Sequence, residues 1–249
     1  MSDNNKIACF DADIIIKTSR NNKELLENVV DIFDKCYLHK CVYEEINWPQ
    51  KTIKLLNKLI KKNKINLITD ENLYDELEIK KLFLDSLQQV CEIFGLEYEN
   101  IYSNHNNIVN NKGKFINKLY KSDKCIKENV GEVRTLLMII LLREIEKDKI
   151  NYFISDDRRA RNVIVFNYGK TLTENKIYGL SLLSSFYMLK KEGLTKKEAM
   201  KFVSNFYSKQ TKIFYEENRM EKMNNTEIIE KIYEDKLKLL RNGDFLLQE

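Results

Sequence analysis

NYFISDDRRARN, residues 151–162, runs from apolar residues straight into two aspartates and then into a basic segment. Tyr152, Phe153 and Ile154 show none of the polar alternation of a half-solvated strand. They read as a strand buried on both faces, the pattern of a parallel sheet covered by helices. The same reading fits Ile7 to Phe10 in KIACFDADIII and the run INLIT at 65–69, while YLHKCVYEEI (37–46) reads as a short strand passing into a helix start. Helical spacing fills the intervals, in NKELLENVVDIFDK (22–35), QKTIKLLNKLIKKN (50–63), DENLYDELEIKKLFLDSLQQVCEIFG (70–95) and NVGEVRTLLMIILLREIEKDK (129–149). Strands alternating with helices predict an α/β fold, a three-layer α/β/α arrangement around a central, mainly parallel sheet. From Tyr178 onward every segment reads as helical, down to NTEIIEKIYEDKLKLLRN (225–242). The expected organisation is a domain over residues 1–195, interrupted by an Asn-rich polar loop at 97–127, followed by a helical C-terminal extension over 196–249.

The chain has 249 residues, 43% of them hydrophobic, enough for one large domain or one domain with an appendage. A formal net charge of +4 permits nucleic-acid binding without arguing for it. One proline and seven glycines leave little room for long disordered linkers. The five cysteines include no CxxC pair and several sit in apolar runs, so reduced, mostly buried thiols and a cytoplasmic location are expected. The longest apolar run, LLMIILL, is too short to span a bilayer, and no membrane partner is expected. With His39 and His105 the only histidines, a histidine-built zinc site is not expected.

In open parallel sheets, ligands sit beyond the carboxyl ends of the strands. Asp11 and Asp13 follow the first strand, Asp156 and Asp157 follow the 152–154 strand, and Glu45 and Glu132 stand near helix starts. Carboxylates gathered at one rim repel, by about 4 kcal/mol for a close pair at an effective dielectric of about 20. They must take up protons or bind a cation. Oxygen donors without nearby His or Cys select Mg²⁺ or Mn²⁺, ions that serve phosphate chemistry. Each acid also has a plainer reading. Glu132 fits a capping box opened by Asn129, one of Asp156 and Asp157 caps the helix that follows, and Glu44 and Glu45 fit a solvated helix start. Asp11 is hardest to explain this way, because a carboxylate directly after four apolar strand residues is partly buried and needs a partner. Arg158 and Arg161 share a helix face and either grip phosphates or balance the acids. The aromatics Phe186, Tyr187, Phe202, Phe206, Phe214 and Tyr215 could stack bases, but their helical spacing makes most of them core or interface residues.

Taken together, ACFDADIII with Asp11, VYEEI with Glu45, VGEVRTLLMIILL with Glu132 and YFISDDRRAR with Ser155 and Asp157 resemble, in order, the four motifs of the PIN-domain nuclease family. IYGLSLLSSFYMLKKEGLT (177–195) is similar to the segment that follows the last acid in one bacterial branch. The resemblance implies metal-dependent hydrolysis of a phosphodiester, usually in RNA, with 5′-phosphate and 3′-hydroxyl products. Asp11, Glu132 and Asp157 would hold Mg²⁺ or Mn²⁺, and Glu45 would complete the catalytic set. Ser155, with Asp13, Asp156, Arg158 and Arg161, would support ligands or substrate. The implied partners are RNA, single-stranded rather than duplex, and either a second copy of the chain or an antitoxin-like protein. Two other readings compete. FDADIII also resembles the DxDx[TV] motif of haloacid-dehalogenase-like phosphatases, with Asp11 as nucleophile and Asp13 as acid/base, although Ile15 departs from it and Glu45 and Glu132 are left without a role. A non-catalytic RNA-binding or assembly module is the third.

Overall fold

Strand β1 (Ile7–Phe10) is buried over its whole length, and its residues divide between two faces. Ala8 and Phe10 enter one apolar cluster, whereas Ile7 and Cys9 enter the other. β2 (Lys35–His39) and β4 (Tyr152–Ile154) do the same, with Leu38 and Ile154 on the first face and Tyr37 and Phe153 on the second. A period of two with apolar residues on both sides requires cover above and below the sheet. The computed structural model describes residues 5–21, 23–76, 80–95, 130–145, 149–172, 176–204, 210–215 and 220–248. In it, β3 (Asn66–Ile68) and β5 (Tyr178–Leu180) complete a five-stranded sheet of order β3-β2-β1-β4-β5 in which all pairs are parallel. The expected α/β core with its central parallel sheet is present. The insertion expected at 97–127 lies outside the described residues.

One face is covered by the helices Ala12–Asn21, Lys23–Asp31, Gln50–Lys61 and Leu182–Lys191, which supply Ile14, Leu26, Leu56 and Phe186 to the core. The other is covered by Lys80–Phe94 and Val130–Ile145, the latter buried without interruption from Thr135 to Leu142. That is why LLMIILL is apolar on every side, as a helix packed between layers must be. Among the described residues no helix is long and apolar enough to cross a membrane. The long helical stretch expected over 70–95 forms Asp70–Glu76 and Lys80–Phe94 and ends at Gly95, whose φ of 68° is the left-handed turn that glycine accommodates. Cys9, Cys36, Cys41 and Cys91 are buried free thiols.

The C-terminal region corrects the expectation of an all-helical extension. Alongside the helices Lys196–Val203 and Asn225–Tyr233 it forms a second sheet, of order β7-β6-β9-β8, from Thr211–Phe214 (β6), Met220–Met223 (β7), Leu237–Leu239 (β8) and Phe245–Leu247 (β9). The 225–233 helix stops where Asp235 turns left-handed at φ 58°. Beyond it Leu237 is buried, Lys238 exposed and Leu239 half-buried, a strand alternation. Gly243, at φ 81°, closes the β8–β9 hairpin. A Cβ there would lie 2.8 Å from the carbonyl oxygen of Gly179, so the turn presses directly on β5. Ile213, Ile228, Ile232 and Phe245 join the same apolar cluster as Phe10 and Ile154.

A candidate acidic centre at the switch point of the sheet

The strand order reverses direction between β1 and β4, the place where an open parallel sheet leaves a crevice at its carboxyl edge. Phe10 pairs with Ile154, so the next residues, Asp11 and Ser155, emerge side by side. The backbone N–H of Asp11 still donates to Ile154 O at 2.9 Å, and that of Ser155 to Leu180 O at 2.9 Å, which fixes both on the sheet rather than on loops. The fully buried Ser155 hydroxyl donates to Asp11 Oδ2 (2.7 Å) and accepts from the Asp157 N–H (3.0 Å). Asp11 Oδ1 accepts from the Ala12 N–H at 2.7 Å. Both Asp11 oxygens are thereby oriented before any ligand arrives.

Burial holds the Asp11 carboxyl above the usual range, opposed by the bonds from Ser155 and Ala12 and reinforced by the charge of Asp157. Glu45 ends the helix Lys40–Glu45, and Glu132 lies in the first turn of Val130–Ile145. Burial, then Asp11 and Glu132, push the Glu45 carboxyl up to about 7. Glu132 is raised by burial, to which Asp11 and Asp157 add, while the charge of Arg159 opposes the rise. Four carboxylates from four separate stretches thus act on one another, with Asp11 at the centre. Gly131 makes part of this possible, because a Cβ at that position would lie 2.9 Å from Glu45 Oε1. The Asn129 cap proposed for Glu132 lies outside the described residues.

Asp13 and Asp156 form a neighbouring, separate unit. Lys17, one helical turn after Asp13, sits 2.7 Å from Asp156 Oδ2 and 3.5 Å from Asp13 Oδ2. Burial alone would lower Lys17, but the two carboxylates together raise it. Asp156 also accepts the N–H of Leu182 at 2.7 Å, and its own N–H points to Asp13 Oδ2 at 3.1 Å. Burial, then the charges of Asp11 and Asp156, raise Asp13 to about 6. Asp157 caps the helix Arg158–Asn162 by accepting from the N–H groups of Arg159 and Ala160 through Oδ1. The capping role suggested for one member of the Asp pair falls to Asp157.

Arg158 and Arg161 both engage Asp244. Arg161, 4% exposed, donates from Nη1 to Ser155 O (2.6 Å) and from Nε to Asn242 O (2.7 Å), and its Nη2 lies 3.5 Å from Asp244 Oδ1. Arg158 Nε donates to Asp244 Oδ2 at 2.8 Å, and its guanidinium lies over the Phe214 ring. A buried arginine with these partners anchors the backbone of Ser155 and has no surface to offer a phosphate. Of the basic segment, the exposed Arg159 is the member whose charge acts on Glu132. Sequence reasoning missed Lys17, Gly131, Asn242 and Asp244. The i,i+4 spacing of Asp13 and Lys17 signals the first, and the Asn242-Gly243 turn pair between Leu239 and Phe245 signals the last two.

Among the described residues no three acidic, histidine or cysteine side chains already form a metal-ligand group. The donor chemistry nevertheless fits a hard dication: the groups are carboxylates, and burial together with neighbouring negative charge raises the proton affinities of Asp11, Glu45 and Glu132. Compared with known proteins, the chain matches no family model and no curated protein.

Proposed function

We propose that the protein is a metal-dependent nuclease of the PIN-like type, hydrolysing phosphodiester bonds in single-stranded RNA. The observation that carries this reading is the convergence of Glu45, Glu132 and Asp157 on Asp11 at the switch point. Asp11, Glu132 and Asp157 would hold Mg²⁺ or Mn²⁺. When bound, the ion supplies Lewis-acid activation of the phosphate and of the attacking water. Ser155 fixes the direction of Asp11, and Arg161 fixes Ser155 through its carbonyl. Glu45, with a carboxyl at about 7, exchanges a proton near neutrality and takes the proton of the attacking water. Water oxygen bonds to phosphorus as the P–O3′ bond breaks, and the departing O3′ takes a proton from solvent water, leaving a 5′-phosphate and a 3′-hydroxyl. Arg159 is the cation best placed to meet a neighbouring phosphate oxygen.

The phosphatase reading requires Asp13 at the disposal of a substrate. Here Asp13 accepts from the Asp156 N–H and faces Lys17, which gives that reading no support. The scaffold reading leaves the elevation of the Asp11, Glu45 and Glu132 carboxyls without a purpose. Short RNA and DNA strands incubated with Mn²⁺ test the proposal in wild type, Asp11→Asn and Asp157→Asn, with folding checked by circular dichroism. Wild type is expected to cut RNA and both variants to lose at least about a hundredfold in rate. Equal rates in all three proteins reject it.

A further inference from the structure

Two acids at the carboxyl edge of the sheet, Asp13 and Asp156, already share a cation. It is the ammonium of Lys17, 2.7 Å from Asp156 Oδ2 and 3.5 Å from Asp13 Oδ2. The helix Ala12–Asn21 begins directly after Asp11, and the i,i+4 spacing sets Lys17 one turn beyond Asp13 on the same face. Neither carboxylate depends on Lys17 for its position. Asp13 accepts the Asp156 N–H through both oxygens, at 3.1 and 3.3 Å, and Asp156 Oδ1 accepts the Leu182 N–H at 2.7 Å. The side chains of Asp13 and Asp156 stay 33% and 24% exposed, so a dissolved ion can reach them. The unit is also joined to the acidic centre by charge: Asp11 acts on Asp13, and Lys17 acts on Asp11. Arg161 acts on Asp13 and Asp156 through its charge, but its hydrogen bonds go to Ser155 O, Asn242 O and Asp244. Lys17 is therefore the cation seated on the pair.

We infer that the Lys17 ammonium is a built-in cation that takes the place of a second dication, so that the acidic centre binds one metal ion, beside Asp11, rather than two. Two-ion phosphodiester chemistry sets its dications about 4 Å apart, and each ion needs oxygen donors of its own. Asp13 and Asp156 have the chemistry and the placement to serve a second ion, and the ammonium occupies both. An ammonium offers three N–H donors and no acceptor, so it can satisfy carboxylate oxygens that a dication would otherwise bridge. Because it is tethered to the chain, it balances the pair at every concentration of free metal. The inference rests on the nuclease reading for the ion at Asp11, whereas the seat of Lys17 is tested without nucleic acid.

The test counts Mn²⁺ bound at saturation by the full chain at neutral pH, by electron paramagnetic resonance of the ion left free. Wild type is expected to bind one ion and Lys17→Ala two. Asp13→Asn/Lys17→Ala, which also removes one of the released carboxylates, is expected to return to one. Lys17→Arg, which keeps a cation on the pair, is expected to stay at one. Circular dichroism melts establish that each protein is folded, and where Lys17→Ala is not, Lys17→Gln, which removes the charge and keeps a polar stem, is read in its place. Equal counts in wild type and Lys17→Ala overturn the inference. So do two ions in wild type, a second ion in Lys17→Arg, or a gained ion that persists in the double variant. If wild type binds none and Lys17→Ala binds one that the double variant loses, Lys17 keeps its role as the resident cation and the nuclease reading loses its metal.

Discussion

Asp11 shows how much one position on a sheet edge can determine. It is still hydrogen-bonded to β4 through its backbone, and both of its carboxylate oxygens already have partners. Its neighbours therefore share the electrostatic burden: burial, then the charges of Asp11 and Glu132, raise Glu45 from 4.5 to about 7. Since Glu45 binds its proton more tightly folded than unfolded, its contribution to stability is present in full below about pH 4.5 and is lost as pH rises through about 7. The metal-free protein is thus expected to melt at a lower temperature at about pH 7 than at about pH 4.5 by this contribution, and Glu45→Gln to remove that part of the difference. Added Mn²⁺ is expected to raise the melting temperature more above pH 7 than below pH 5, because a carboxylate must lose its proton to bind the ion. Calorimetric melts across this range check both. At this scale the sequence was informative about the acids, since a charge directly after a buried apolar run has few explanations. It was misleading about the arginines: Arg158 and Arg161 occupy positions suited to phosphate, and nothing within RRARN signals that Asp244, more than eighty residues later, has claimed them.

Elements set the directions in which these side chains approach. The Val130–Ile145 helix brings Glu132 to the rim and, through Gly131, admits the carboxylate of Glu45 at its first turn. Gly131→Ala separates helix stability from site geometry. The helix gains up to about 1 kcal/mol from replacing glycine, whereas the new methyl group must displace Glu45 Oε1, 2.9 Å from the added Cβ. The expected result is unchanged or higher stability to urea together with weaker Mn²⁺ binding and slower cleavage, measured on the same preparation. Four of the five strands of the parallel sheet were legible, β1 and β4 because burial on both faces leaves an unbroken apolar run of three or four residues; β5 was not, since its three residues YGL stand directly before the helix Leu182–Lys191 and were read as part of a helical stretch. The strands of the second sheet were not legible either. TKIF, MEKM and LKL are short and carry lysines, and in a stretch dense with Glu and Lys they continue a helical pattern until Asp235 breaks it. Residue-level signals for that break exist only in the turn chemistry of Asn242-Gly243.

At the scale of the whole molecule, the C-terminal region is tied to the acidic centre. The β8–β9 turn presses on β5, Asp244 receives Arg158 and Arg161, and Arg161 holds the Ser155 carbonyl. Asp244 and Arg161 are both buried, with 8% and 5% of their side chains exposed. Asp244→Ala leaves a buried guanidinium without its carboxylate and is expected to destabilise the protein by about 3 kcal/mol. It is also expected to slow cleavage, although Asp244 belongs to the hairpin and not to the centre, because Ser155 loses the side chain that braces its carbonyl. Urea denaturation and cleavage rates at a temperature where the variant remains folded separate the two effects. A sequence can announce that strands alternate with helices. It cannot announce which distant hairpin closes over the last strand, since that is set by packing between Gly179 and Gly243 and by partners far apart in the chain.

The central claim is that carboxylates from three other stretches of chain gather around Asp11 to hold one hard ion. Electron paramagnetic resonance of Mn²⁺ titrated into wild type and Asp11→Asn, without nucleic acid, measures this directly. The account predicts bound Mn²⁺ in wild type, displaced by excess Mg²⁺, and loss of that population in Asp11→Asn with the fold retained. Identical Mn²⁺ binding by the two proteins, or none by wild type at neutral pH, would contradict it.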